Sequence, residues 1–114
     1  MYGLPKGLDW TFLVGAALEQ VCIGQHTIHF RFDRNISISV YSSLRLDDAK
    51  SPSGDFGEMA TVLCELIGQG ITAAGPLDAR TLAIRFGSRR LELFDDSDQF
   101  ESFVIAVGGD VFVV

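Results

Sequence analysis

The chain has 114 residues, of which 47% are apolar and 21% are charged. This composition is typical of one ordered domain and argues against a disordered chain or a two-domain protein. The formal net charge of -6 removes the positive field on which non-specific nucleic-acid binding depends. We therefore expect no nucleic-acid partner and no binding to anionic membranes.

The cysteines and the first apolar run indicate a cytoplasmic protein. Cys22 and Cys64 form neither a CxxC motif nor a disulfide framework, so we expect two buried thiols. The apolar run at residues 10–18 is too short to span a bilayer, and it follows Asp9 instead of a basic segment.

The first elements in chain order are a short helix and a strand. After an irregular lead-in at residues 1–8, Asp9 is a suitable N-cap for one or two helical turns that end near Gly15. Residues 18–24 are expected to form a strand with Cys22 on the face opposite to its apolar neighbours.

Residues 27–32 and 36–41 alternate polar and apolar side chains with period two, which predicts a hairpin. A three-residue loop with Asn35 in the left-handed region places Phe30 opposite Ile38 and aligns the apolar faces. The polar side chains then share the other face, which consists of His29, Arg31, Ser37, Ser39 and Tyr41.

The middle of the chain is expected to hold a loop, a helix and a short strand. Residues 45–55 contain acids, Pro and Gly and are typical of an exposed loop. Residues 56–67 carry apolar side chains at three- and four-residue steps, which favours a helix. A short strand is expected near residues 71–74.

A second hairpin is predicted from residues 82–86 and 91–94. With Ser88-Arg89 at its tip, Phe86 would lie opposite Leu91, and Arg85 would lie opposite Glu92 on the outer face. No Lys or Arg follows Arg90, so the acids of the last segment have no local counter-charge. These are Glu92, Asp95, Asp96, Asp98, Glu101 and Asp110. They could steer a protein partner with a basic surface towards the chain.

A third hairpin is predicted around Gly108-Gly109, and both of its faces are apolar. We expect the second face to be buried against another copy of the chain, in a two-fold homodimer. The expected interface consists of Val104, Ala106, Val111, Phe112 and Val113. The alternative is that the N-terminal segment folds back over this face with its side chains Leu4, Leu8, Trp10 and Phe12.

The sequence offers no catalytic or metal-binding constellation. His26 and His29 are three residues apart and would point to opposite sides of a strand. The acids of residues 95–101 lack the spacing of a calcium loop, and the serines of residues 37–43 lack a nucleophile elbow. We expect no catalytic residue, no metal and no cofactor. An enzyme with a site assembled from residues distant in sequence is the alternative.

The polar face of the first hairpin is the best candidate for a binding surface. It combines hydrogen-bond donors, acceptors and an aromatic ring, and Arg85 is expected to extend it. An ordinary water-facing side of a sheet would have the same composition. We expect a non-catalytic binding or protein-interaction module.

Four short stretches carry a resemblance: residues 12–15 (FLVG), 20–24 (QVCIG), 36–40 (ISISV) and 100–103 (FESF). Together they resemble a family of small bacterial β-rich proteins of unknown function, over nearly the whole chain. This family implies no activity, cofactor or catalytic residue. Such proteins are similar in size and charge to immunity proteins that mask toxins, so a toxin-neutralising partner is a further alternative.

Together these elements predict an α+β fold: one antiparallel sheet of about seven or eight strands, built from hairpins, with one main helix on one face. The helix is expected to cover Phe30, Phe32, Ile38, Ile84 and Phe86. Segments 18–43 and 69–94 share a binary pattern, which indicates either a duplicated three-strand unit or the coincidence expected of two hairpin regions.

Overall fold

The computed structural model describes residues 9–47, 56–95 and 102–113. In chain order its elements are a 3-10 helix Trp10–Leu13, β1 Leu18–Ile23, β2 Ile28–Phe32, β3 Ile36–Val40, β4 Ser43–Leu46, α1 Phe56–Cys64, β5 Ala73–Asp78, β6 Thr81–Phe86, β7 Arg89–Phe94, β8 Phe103–Val107 and β9 Asp110–Val113.

The strands form two antiparallel sheets. One sheet has five strands in the order β1-β2-β3-β8-β9, and the other has four in the order β4-β7-β6-β5. The predicted α+β fold, with one sheet of seven or eight strands under a main helix, is therefore wrong. Helix α1 has only nine residues and packs chiefly beside β1. The apolar faces of the two sheets cover each other, so no helix is needed to shield either one.

One core joins the two sheets. Buried side chains from both belong to a single apolar cluster, which also includes Trp10 of the 3-10 helix and Leu63 of α1. Across the interior, the rings of Phe32 on β2 and Phe86 on β6 stack with their centroids 6.3 Å apart. The molecule is thus a two-layer β structure in which each sheet has one inner and one outer face.

The first described elements follow the sequence prediction, and the lead-in expected at residues 1–8 lies outside the described residues. The Thr11 backbone N–H donates to Asp9 Oδ1 at 3.0 Å, which caps the 3-10 helix. This hydrogen bond lowers the pKa of Asp9. Strand β1 then places Cys22 opposite His29 of β2, on the face away from Val21 and Ile23.

The first hairpin has the predicted register, with Phe30 opposite Ile38 and Phe32 opposite Ile36. Its loop has Asn35 at φ 59°, as predicted, and Arg34 at φ 60° as well. The third hairpin also has the predicted register, with Ala106 opposite Val111. Gly108 opens its turn at φ 59°.

The predicted register of the second hairpin is wrong by two residues. Gly87, at φ 66°, opens a two-residue turn, so Phe86 lies opposite Arg89 and Arg85 opposite Arg90. Glu92 instead lies between Ala83 of β6 and Arg45 of β4.

Residues 45 and 46, which were expected to lie in a loop, belong to β4. The rest of that loop falls on residues 48–55, outside the described part of the chain, apart from the single turn residue 47. Strand β5 also differs from the prediction, because it begins at Ala73 and extends to Asp78.

Two of the acids expected to lack counter-charges are buried and satisfied. Glu92 accepts two hydrogen bonds from Arg45, each of 2.9 Å. Asp95 accepts a hydrogen bond from Ser102 Oγ at 2.8 Å. Asp110 is exposed at the start of β9, and Asp96, Asp98 and Glu101 lie outside the described residues.

The helix region and the cysteines also differ from the expectation. Leu63 and Leu66 are buried, but Val62 and Ile67 are exposed, so the apolar stripe is only partly covered. The prediction of two buried thiols is wrong, since Cys64 is exposed and Cys22 is half-buried.

Candidate functional site

The outer face of the five-stranded sheet brings the two predicted surfaces together. Cross-strand pairs share a face, and the pairings from β1 to β9 give two rows of side chains that point away from the core. We call this surface the outer sheet face; its described side chains are Gln20, Cys22, His29, Arg31, Ser37, Ser39, Val104, Ala106 and Val111.

The polar half of this face lies on β1, β2 and β3. His29 Nδ1 and Ser39 Oγ share a hydrogen bond of 2.7 Å between directly paired strand positions. Arg31 is exposed and lies between Gln20 of β1 and Ser37 of β3. The polar half therefore presents one fixed imidazole and one accessible guanidinium.

A shallow hollow of about 180 Å³ lies at one end of this face. Arg31, Ser37 and Ala106 line it, together with Asn35 and Gly108 from two hairpin turns. The Gly108 N–H donates to the Asn35 carbonyl at 3.0 Å, which fixes the two turns against each other. The hollow thus lies beside two hydrogen-bonded turns, and its lining spans both halves of the face.

The apolar half lies on β8 and β9. Val104 and Ala106 are half-buried, whereas Val111 has 58% of its surface exposed. Phe112 and Val113 occupy β9, but their side chains lie outside the part of the molecule that the structure describes. Val111 is consequently the most accessible apolar side chain known on this face.

Of the remaining residues of the predicted binding surface, Arg85 lies elsewhere and Tyr41 lies at the end of β3. Arg85 is on β6 in the four-stranded sheet, so it does not extend the polar half. Tyr41 directly follows β3, and its backbone N–H donates to the Ser102 carbonyl at 2.9 Å. Its side chain is 37% exposed at the end of the strand.

Gln20 and Cys22 join the polar half although the sequence analysis did not assign them to it. The alternation of β1 already set Cys22 apart from Val21 and Ile23. Pairing that strand with the first hairpin would have placed both residues beside His29 and Arg31. The alternation of β1 thus predicts which of its side chains share a face. It does not predict that β2 is the strand beside it.

The described part of the N-terminal segment packs on the core: Phe12 lies against the same apolar cluster as Trp10. Trp10 belongs to the core, and the 3-10 helix packs beside β5 of the other sheet. Leu4 and Leu8 lie outside the described residues.

Comparison of the chain with protein-family models, with curated proteins and with solved structures found no match. Over residues 9–47, 56–95 and 102–113, no three His, Cys, Asp or Glu side chains come close enough to hold a metal ion together. Neither helix within these ranges has the length and apolar character needed to cross a membrane.

Proposed function

We propose that this chain is a non-catalytic, cytoplasmic protein-interaction module that works through the outer sheet face. The observation that supports this most directly is the exposure of Val111 beside Val104 and Ala106, on a face that continues without a break into polar side chains. Apolar centres with polar margins are typical of protein–protein contacts.

The first partner that we propose is a second copy of the chain. Strand β9 is an edge of the five-stranded sheet. The other edge is partly covered, because Gly68 donates to the Leu18 carbonyl and Leu18 donates to the Gln69 carbonyl. Within the described residues no strand pairs with the outer edge of β9, so it resembles the unprotected edges through which strands associate. A two-fold contact would repeat this edge and the apolar half on both subunits.

The polar half would remain available to a second protein in such a dimer. His29 and Arg31 provide directional hydrogen bonds, and the net charge of -6 would steer a partner with a basic surface towards the molecule. The net negative charge would then raise the rate at which the partner associates. The side chains of the polar half would determine which partner is bound.

Sedimentation equilibrium at micromolar concentration tests the dimer. We expect a species of twice 12.4 kDa, and Val111→Glu should weaken association by at least about tenfold, because it buries a charge at the centre of the contact. Leu77→Glu is the matched control, since Leu77 is 56% exposed but lies on β5 of the other sheet. A monomer of 12.4 kDa, or equal effects of both substitutions, would contradict the dimer.

A pull-down from the native cell, read by mass spectrometry, tests the second partner. A specific protein should be retained by the parent chain and by Leu77→Glu, and lost with Arg31→Glu, because Arg31 lies on the outer sheet face and Leu77 lies on the other sheet. Retention by all three chains would refute the assignment to the polar half.

A further inference from the structure

An arginine cluster lies at the tip of the β6–β7 hairpin, on the sheet that does not carry the outer sheet face. Arg85, Arg89 and Arg90 line an open cavity of about 260 Å³ together with Ser88 and Asp47. Three arginines and one acid therefore line this cavity, in a chain whose formal net charge is -6, and Glu65 and Glu92 lie beside Arg89 and Arg90. A positive cavity attracts anions even when the chain as a whole repels them.

The hairpin register places two of these charges against each other. Arg85 is the direct cross-strand partner of Arg90, and like charges in such a pair destabilise a sheet. Arg85 is exposed, and within the described residues no carboxylate forms an ion pair with it. Arg90 Nε lies 3.5 Å from Glu92 Oε1, which offsets part of this repulsion. An anion beside Arg85 would supply the counter-charge that Arg85 lacks.

Neighbouring acids hold the other side of the cavity in place. Asp47 accepts one hydrogen bond from Arg89 Nε at 2.8 Å and another from the Arg90 backbone N–H at 3.0 Å. The Arg89 Nη1 atom also lies 3.4 Å from Glu65 Oε2. The hydrogen bond to Asp47 raises the pKa of Arg89 above its usual value. A guanidinium that is already oriented loses less entropy when it binds a ligand.

We infer that this cavity binds a phosphate group, either as free phosphate or as a monoester of a small molecule. The planar fork of an arginine matches two phosphate oxygens, and a dianion suits a lining with more than one cation. The Ser88 hydroxyl supplies a further donor at the hairpin tip. This site lies on a different sheet from the proposed protein-binding surface and does not depend on it.

A titration followed by NMR of the ¹⁵N-labelled chain tests the site, with chloride added to keep the ionic strength constant. Inorganic phosphate and phenyl phosphate should each cause saturable shifts centred on residues 85–90. Binding of phenyl phosphate should weaken from about pH 7.5 to about pH 5.5, because the second pKa of a phosphate monoester is about 6 and the dianion is lost. Tighter binding of phenyl phosphate would identify the monoester as the ligand, and equal binding would identify free phosphate.

The Arg85→Gln variant should bind phosphate about tenfold more weakly, because it removes one charged donor pair. Arg80→Gln is the control, since it removes the same charge at the opposite end of β6 and should change binding by less than about twofold. The spectrum of free Arg85→Gln should keep the shifts of the folded chain, because the change relieves a like-charge pair. Shifts that fail to saturate, or equal losses in the two variants, would overturn the site.

Discussion

Glu92 shows how one residue fixes the position of a strand. The side chain is 1% exposed although it lies on the outer face of its sheet, between Ala83 and Arg45. Arg45 donates to both carboxylate oxygens in a fork-to-fork pair, and Arg90 Nε lies 3.5 Å from Oε1. Because a buried carboxylate needs such compensation, the pair ties β7 to β4.

Glu92→Gln should lower the free energy of unfolding by about 1–3 kcal/mol, since it leaves two guanidinium groups facing a neutral amide. Urea denaturation measures this loss. Glu65→Gln serves as the control, because Glu65 is 58% exposed and its contact with Arg89 is 3.4 Å long, and its loss should stay within about 0.5 kcal/mol. Equal losses in the two variants would show that burial of the Arg45 pair contributes nothing.

The sequence correctly predicts that Glu92 lies on the outer face of its sheet. It also predicts that the side chain is exposed to water, whereas the side chain is buried. Period-two alternation along β7 gives the face directly. The alternation does not identify the ion-pair partner of Glu92, because Arg45 is 47 residues away in the chain and is predicted to lie in a loop. Leu44 and Leu46 do alternate with Ser43 and Arg45, so the strand was visible as a pattern of four residues. Only pairing with β7 makes so short a segment a strand.

The hairpins show which features of an element can be predicted from its own residues. The first and third registers were correct because Asn35 and Gly108 mark the residues with positive φ and hence the loop length. The second was wrong by two residues, a shift that keeps every side chain on the same face. The apolar pattern therefore cannot distinguish the two registers, and the conformation of Gly87 decides between them.

The same alternation with period two weakens the evidence for an internal repeat. Segments 18–43 and 69–94 each hold three consecutive antiparallel strands, β1–β3 and β5–β7. Any pair of adjoining hairpins would have this arrangement. The duplication stays a prediction.

The turn of the third hairpin gives a direct test at this scale. Gly108→Ala should cost about 1–2 kcal/mol, because φ is 59° there and a side chain is strained in the left-handed region. Among the described residues other than its two chain neighbours, no atom lies within 4 Å of the position that a Cβ would take, so the expected cost comes from backbone strain. Chemical denaturation of the variant gives the value.

Gly109→Ala is the matched control in the same turn. Gly109 also has open space around it, and its φ is not in the left-handed range. Its replacement should be neutral or stabilise the chain by up to about 1 kcal/mol, because alanine has fewer conformations in the unfolded state. A loss at residue 109 as large as that at residue 108 would refute the assigned turn.

At the scale of the whole molecule, the sequence does not indicate which apolar faces of the strands and the helix pack against each other. The sequence correctly predicts apolar strand faces, but the prediction of one sheet under a helix is wrong. The two halves of the outer sheet face were each predicted from a local hairpin. Their contact depends on the pairing of β3 with β8, which sets Ser37 beside Ala106 and Ser39 beside Val104. Such pairings join residues far apart in the chain, and local periodicity does not specify them.

A core shared by two sheets predicts a single cooperative unfolding transition. Phe30 of the five-stranded sheet and Phe86 of the four-stranded sheet are both fully buried in the same cluster, as is the single tryptophan, Trp10, at 4% exposure. Phe30→Ala and Phe86→Ala should therefore each cost about 3–5 kcal/mol through lost burial and the cavity left behind.

In each variant the transition followed by Trp10 fluorescence should coincide with the transition followed by far-UV circular dichroism, because neither sheet retains a covered face once the other has unfolded. His29→Ala on the outer sheet face is the control for both probes and should cost less than about 1.5 kcal/mol, since it removes one half-buried hydrogen bond and no core volume. If Phe86→Ala separated the two transitions, with the fluorescence change at lower denaturant than the loss of strand signal, the sheets would unfold independently and the shared core would not be the unit of stability.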